Sequence, residues 1–452
     1  MSRRTILHGA VFGLAGLLLA GCGAVKPEER FENLNRIQKE TTGSDLVWER
    51  DEESRREIEE RTARLLDDGL SRREAVELAL LRNRDLQAAL EDVGIAEAMR
   101  VQAGLFTNPS LDAFIGFPIA NGDTGGAIAV MLSDLWIIPA RVAVAEKNAE
   151  AATQRIGEMA IATATTSAAA WDAAIYSRAE LAIEQDVLDV QSRTLARIRF
   201  RYDYGLENDI EIRNAMAERA LQAIRVAEAK ETVLTTRARL ARALALSEAR
   251  LGEASLEDDL AIAPSDELAA DSAIRLALDR RLDIAVAKLR VRRAENTLVL
   301  EKRLIFPAVS VGAGYEGDFN KDNSKGPTVG IEVPLFDQNL AQIARAEFEQ
   351  RQAEKELEAI ELRATEEVRT ALAELERWHT EVRILEEKMQ PTAARRLAWA
   401  RKYANRMQLD QLKPLMAEAM QLEVAQAHLG ALRQARLAAL HLEQALYGGS
   451  TH

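Results

Sequence analysis

A single cysteine, Cys22, stands in 452 residues, so no disulfide can form within the chain. Histidine is scarce as well. His8, His379, His428, His441 and His452 show no metal-like spacing such as H-E-x-x-H, and His428 and His441 fall on roughly opposite faces of one predicted helix. No glycine-rich phosphate loop precedes a helix, and no Gly-x-Ser-x-Gly elbow occurs. The nine methionines are scattered and read as packing residues rather than copper ligands. Basic blocks are missing too. At a net charge of −13 the chain is a poor match for nucleic acid, whose binding rests on neutralising phosphate. Beyond residue 21 no apolar run approaches the roughly 18 residues of a membrane-spanning helix, so any crossing of a bilayer has to be made with strands. Together these absences argue against an enzyme and leave no expected cofactor, catalytic residue or metal site.

What is present is said nearly twice. Ala75-Val76-Glu77-Leu78-Ala79-Leu80 is echoed by Ala273-Ile274-Arg275-Leu276-Ala277-Leu278, Asp85-Leu86 by Asp283-Ile284, and Pro109 by Pro307, each pair 198 positions apart. The offset drifts to 201 where Arg201-Tyr202 meets Lys402-Tyr403. A unit of roughly 200 residues is too long for a solenoid repeat and reads as a duplicated module. Its pattern is a long helix, two short Gly/Pro-flanked apolar stretches, then two more long helices. The expected divisions are a targeting segment 1–21, an N-terminal arm 22–70, a first repeat 71–246, an inter-repeat linker 247–270, a second repeat 271–447 and a tail 448–452.

The targeting segment has a positive start, Arg3 and Arg4, and a short apolar core, Val11 to Ala20. It ends in Leu19-Ala20-Gly21-Cys22, which resembles a bacterial lipobox; an ordinary signal peptide with an incidental cysteine is the alternative. The lipobox resemblance implies that Cys22 is lipidated and becomes the first residue of a mature chain of net charge −15. Gly23 after the cysteine resembles lipoproteins released to the outer membrane. The following stretch, Lys26 to Arg61, is polar, with Trp48 its main apolar anchor, and is expected to be an extended arm.

Four helical blocks dominate. Arg141 to about Tyr204 and Asn339 to about Tyr403 are rich in Ala, Glu, Arg, Gln and Leu, strong helix formers, and the second is broken only by Pro391. Small residues such as those at 162–170 let helices approach closely. At 1.5 Å per residue, such blocks reach roughly 100 Å and imply an elongated bundle or supercoiled tube. Gly205 stands at a helix-stop position, and Asn208 or Asp209 is placed to cap the next helix.

The strand candidates lie at about 109–135 and 307–335. Pro109 to Pro118 and Gly126 to Leu135 flank one turn-rich stretch, and Pro307 to Tyr315 and Thr328 to Leu335 flank a polar loop from Glu316 to Pro327. Val309, Val311 and Ala313 alternate with Ser310, Gly312 and Gly314, and runs of ~9 to 11 residues suit tilted transmembrane strands. Phe106, Phe114, Phe117, Trp136, Phe306, Tyr315, Phe319 and Phe336 cluster near the strand ends, as in an aromatic girdle. Surface hairpins on a soluble protein are the alternative. Four strands cannot close a barrel and lipid tolerates no open edge, so strands in a membrane have to be pooled between chains.

Gly104-Leu105-Phe106-Thr107-Asn108-Pro109-Ser110-Leu111, Pro307 to Tyr315, and Val329-Gly330-Ile331-Glu332-Val333-Pro334-Leu335-Phe336-Asp337 with Asn339 resemble the TolC-type outer-membrane factors, in their lipidated branch associated with resistance-nodulation-division pumps. The likeness runs from about residue 65 to 447. It implies a mainly α fold with a small β part: long antiparallel helices forming a periplasmic α-barrel, and four strands per chain given to a trimeric transmembrane β-barrel. It also implies a homotrimer in the outer membrane, in contact with its lipid, docked on a periplasmic adaptor protein and passively exporting small molecules, metal ions or drugs, from the inner-membrane pump. In the family an Arg and two acids at the second turn form the aperture. Arg406 and Asp410, four apart on one predicted helix face, match the Arg and first acid, and Lys413 stands where the second acid is expected. A solvated i,i+4 pair is the plainer reading. Gly205 and Leu206 resemble an adaptor-contact motif, or serve simply as a helix C-cap. A structural coiled-coil lipoprotein that does not span the membrane accounts for the helices and Cys22 but not for the matched hairpins; a periplasmic adaptor needs more strand than is present.

Overall fold

The computed structural model describes residues 24–67, 69–115, 123–253, 256, 260, 269–318, 323–406 and 410–448. In chain order the elements are α1 (Glu28–Thr42), α2 (Glu52–Asp67), α3 (Arg72–Arg82), α4 (Arg84–Ala103), β1 (Ser110–Ile115), β2 (Asp123–Met131), α5 (Asp134–Asp203), α6 (Asp209–Ala243), α7 (Glu248–Glu253), α8 (Ala270–Arg280), α9 (Leu282–Arg303), β3 (Ala308–Asp318), β4 (Asn323–Glu332), α10 (Leu340–Ile384), α11 (Gln390–Asn405) and α12 (Leu412–Tyr447). The duplication is visible in these bounds. The pairs α3 and α8, α4 and α9, and β1 and β3 each begin 198 residues apart, and β2 and β4 begin 200 apart.

The chain forms two compact units, one of Met1–Leu34, Ala89–Ile156 and Asp283–Glu361, the other of Asn35–Ala88, Gly157–Leu282 and Leu362–His452. The first unit holds the sheet, an antiparallel meander in the order β1-β2-β3-β4. The β2–β3 pair, from Asp123↔Asp318 to Met131↔Ser310, joins the two repeats into one sheet. Its strands are longer at the hairpin ends than expected. β3 and β4 stay paired through Glu316↔Ser324 and Gly317↔Asn323, inside the predicted polar loop, because the backbone ladder holds regardless of side-chain polarity. Pro327 lies in β4, an outer strand of this sheet, the position where proline is tolerated. Leu135, expected in a strand, instead lies in the first turn of α5, which also takes in Pro139 near its start.

Polar side chains fasten the strands to the helices. The Asp134 carboxylate accepts the Thr107 N–H at 2.6 Å, and Arg141 donates to the carbonyls of Ala103 and Leu105 at 2.9 and 2.8 Å. In the second repeat Asn339, in the left-handed region at φ 59°, donates its amide to the Glu301 carbonyl at 2.8 Å. Asn tolerates that conformation better than other residues with a Cβ.

The second unit is built on buried apolar seams. Leu70, Leu78, Trp171, Ile175, Leu240 and Leu244 form its largest cluster, and the Trp171 indole N–H donates to the Leu70 carbonyl at 3.0 Å. Ser71 and Glu74 make a reciprocal capping box at the start of α3. Along α5, Ala160, Ala164, Ser167 and Ala168 are buried, as small seam residues should be. The stretch after α6 does more than separate the repeats: Leu246 and Leu251 enter the same core, and Leu256 bridges Leu70.

Two further expectations are corrected. Over its described residues the N-terminal arm is largely two helices, α1 and α2, joined by a stretch without helix or strand. Ile58 and Thr62 share one buried face of α2, and Leu34 and Leu46 are each 2% exposed, more buried than Trp48 at 6%. The charged residues that read as an arm are the solvent faces of amphipathic helices. In the second repeat the break comes before Pro391, as a π-helical turn at Leu385–Met389. The wide turn takes up the strain of a proline that lacks an N–H and crowds the preceding turn.

Candidate functional site

Two places carry the chemistry: the sheet, and the two turns that end the long helices. In a sheet, residues paired across strands lie on one face. Val311 of β3 sits between Val130 and Val329, Ala313 between Ile128 and Pro327, and Ile128 faces Leu111. That face therefore holds Leu111, Ala113 and Ile115 from β1, Ile128 and Val130 from β2, Val309, Val311 and Ala313 from β3, and Val329 and Ile331 from β4. The opposite face is mostly small or polar: Asp112, Ala127, Ala129, Ser310, Gly312, Gly314, Glu316, Thr328, Gly330 and Glu332, with Phe114 and Met131 the large exceptions. The apolar face is uncovered. Leu111 is 80% exposed, Val329 66% and Ile331 58%. Strands β1 and β4 are both edges. Phe106, Phe306 and Phe336 flank the strands at their helix-side ends and are exposed, whereas Phe117 and Phe319 lie outside the described residues. A sheet with open edges and a bare apolar face is unfinished as a water-soluble object.

The first turn follows α5. Gly205 adopts φ +69°, its N–H donates to the Tyr202 carbonyl, and the Leu206 N–H donates to the Arg201 carbonyl. This pair of bonds is a Schellman cap, which needs a residue without a Cβ penalty at the glycine. Leu206 is 66% exposed. The Asn208 side chain then accepts the N–H groups of Ile210 and Glu211, capping α6.

The second turn departs from expectation. Arg406 caps the end of α11, outside regular helix, and Asp410 precedes α12, so the two do not share a helix face. Asp410 pairs instead with Arg201 of the first turn, at 2.8 Å, and accepts the Leu412 N–H at 2.8 Å. Arg201 also holds Glu207 at 2.8 Å. The Asp410 carbonyl accepts the Lys413 N–H, which places Lys413 in the first turn of α12. Arg201 was visible in the sequence only as a repeat match, because no local rule pairs residues 209 positions apart. A neighbouring cluster was likewise silent in the sequence: Glu418 lies between Arg193, at 2.6 Å, and Arg401, at 3.2 Å. Hydrogen bonding from Arg193, ahead of that from Arg401, holds the Glu418 carboxyl below the usual carboxylate range. Matched aromatic pairs stack on the last turns before each connection, Phe200 with Tyr204 and Trp399 with Tyr403, at 4.7 and 5.9 Å between ring centroids. Cys22 lies outside the described residues. His428 and His441 each face a glutamate, Glu386 and Glu374. Among the described residues no group of His, Cys, Asp and Glu is arranged to hold a metal.

Residues 273–448 match the sequence model of the outer membrane efflux protein family. No curated protein matches the chain. Among solved structures, the fold is shared with the outer-membrane channel OprN (20% identity, 84% of this chain and 90% of that one, TM-score 0.70). It is shared also with the outer membrane protein VceC of Vibrio cholerae (20% identity, 84% and 96%, TM-score 0.66) and with the CmeC outer membrane channel of Campylobacter jejuni (13%, 92% and 92%, TM-score 0.67). These likenesses span both repeats, whereas the family's sequence pattern is matched in the second alone. Residues 273–448 thus carry the sequence pattern of the outer membrane efflux proteins, and the chain as a whole shares the fold of these outer-membrane channels.

Proposed function

We propose that this chain is one subunit of a trimeric outer-membrane channel, the passive exit duct of a tripartite export system. The bare apolar face of the β1–β4 sheet is the observation that carries this reading. Lipid is the solvent such a face suits, and pooling the sheets of several chains removes the open edges that lipid forbids. The small and polar face then lines the lumen. The helices extend into the periplasm, where the turns meet a periplasmic adaptor and, through it, an inner-membrane resistance-nodulation-division pump. In this reading Gly205 and Leu206 contact the adaptor, Arg406, Asp410 and Lys413 surround the aperture, and a lipid on Cys22 anchors the arm. The cargo is small molecules, metal ions or drugs, and the pump supplies the energy.

Face-specific charge tests this. Val311→Lys on the apolar face is expected to cost about 2–4 kcal/mol per chain if it sits at mid-bilayer, and to deplete the protein from the outer-membrane fraction. Thr328→Lys, on the other face of the neighbouring strand, is expected to insert normally. Equal membrane recovery of the two variants would remove the barrel and favour a structural coiled-coil lipoprotein.

A further inference from the structure

The second unit holds a cavity of about 370 Å³ where α3, α5 and α12 meet, apart from the sheet and from both turns. On the α5 side its lining is Ala164, Thr165 and Ala168, residues small enough to leave space between helices. The volume falls at the small end of ligand pockets, which run from about 300 to 1,000 Å³. The Thr165 hydroxyl is already engaged, donating to the Ile161 carbonyl and accepting from the Gln444 amide. The groups left free are charged, and opposite signs stand on different helices. Arg72 and Arg73 come from α3, and Glu443 comes from α12. Arg72 gives only its Nε to Asp172, at 3.2 Å. Among the described residues Arg73 and Glu443 have no hydrogen-bond or ion-pair partner, and neither do the terminal nitrogens of Arg72. Glu443 is exposed to the cavity yet surrounded by protein. The lost hydration pushes its carboxyl above the usual carboxylate range, with Arg72 drawing it back. A carboxylate short of water gains most from a cation brought to it.

We propose that this cavity binds a small zwitterion, a short molecule with an ammonium at one end and a carboxylate at the other, such as an amino acid or a dipeptide. Arg73 and the terminal nitrogens of Arg72 receive the carboxylate, since the planar donors of a guanidinium match two oxygens. Glu443 receives the ammonium. No ion pair joins Arg73 to Glu443, so none has to be broken for a ligand to enter. Val76 and Leu440 give the lining apolar surface that suits the chain between the two charges. A lone anion leaves Glu443 unpaired, and a lone cation leaves Arg73 unpaired. The site therefore discriminates in favour of a molecule that carries both charges. The assignment does not depend on the channel reading.

The test is isothermal titration calorimetry on the whole protein, purified from membranes in mild detergent. Glycine, γ-aminobutyrate and glycylglycine serve as zwitterions of different span, and N-acetylglycine and glycinamide as controls with one charge each. At least one zwitterion is expected to bind saturably, once per chain, with a Kd of about 1 mM or below. Both controls are expected to bind the wild type about tenfold more weakly or worse. Arg73→Gln and Glu443→Gln are each expected to weaken the zwitterion by about tenfold or more, because each removes a charged hydrogen-bond partner. Native mass checks that the variants keep the wild-type assembly, and the controls on the wild type decide the matter where a variant does not assemble. No saturable binding, binding that either control matches, or binding that an assembled variant retains in full would overturn the site. Loss of assembly in both variants, with no zwitterion bound by the wild type, would overturn it in favour of a second copy of this chain meeting these charges.

Discussion

Replacing Asp172 with alanine is expected to cost about 3–5 kcal/mol per chain, the penalty for stranding a buried charge. Asp172 lies in α5 at 2% exposure, next to Trp171. Its two oxygens are taken by Arg436 of α12 at 2.7 Å and Arg72 of α3 at 3.2 Å. Arg436 is itself 8% exposed, over the ring of Tyr176. Once the carboxylate is gone the Arg436 guanidinium keeps its charge, because arginine does not deprotonate in proteins, and water cannot reach it to compensate. Arg72 is better solvated and loses less. The loss should be read by urea unfolding of the detergent-purified protein. Asp172→Asn, which keeps an acceptor, is expected to lose less than Asp172→Ala. The Asp172→Leu, Arg436→Met pair is expected to recover most of the stability, since replacing both members of a buried ion pair with apolar groups is often neutral. A full loss in the double variant would mean that packing around Asp172, not charge, is what matters.

The second large effect concerns a single hydrogen atom in the sheet. A Cβ on Gly312 would strike the Ile128 carbonyl oxygen and come within 2.9 Å of the Ala129 Cα, both backbone atoms of β2, and within 2.8 Å of the Thr328 Oγ1. Side chains can turn away, but a paired backbone cannot without breaking the ladder, and overpacking a filled site costs about 1–3 kcal/mol or more. The β2–β3 pair is the seam that joins the two repeats. Gly312→Ala is therefore expected to abolish the assembled form in outer-membrane extracts. Gly326→Ala, in β4 of the same sheet, is the control, because its Cβ would meet nothing within 4 Å. Assembly that survives Gly312→Ala unchanged would contradict the register.

The contrast between what could and could not be read from the chain follows the range of each interaction. The 198-residue echo located the starts of α3 and α8 and of β1 and β3 because aligned side chains impose the same local geometry twice. Gly205 and Asn208 declared the first turn, since a Schellman glycine and an Asn cap act within a few residues. The helical arm was missed because its apolar residues are sparse, and a stripe such as Ile58 and Thr62 in α2 is easily lost among charges. The π-turn at Leu385–Met389 left no mark except Pro391, which stands beyond it. Asp172 and Asp410 find their arginines on other helices, more than 200 residues away in sequence for Arg436 and Arg201. Spacing arguments reach one helix turn, so they linked Asp410 to Arg406 when folding brings it to Arg201.

The proposed channel requires the sheet to be completed by copies of the same chain. Native mass spectrometry of the mature protein, extracted from outer membranes in mild detergent, tests this most directly. A species of three chains, each carrying an acyl-modified Cys22, is the predicted result. A water-soluble monomer would contradict the shared barrel, and the channel with it.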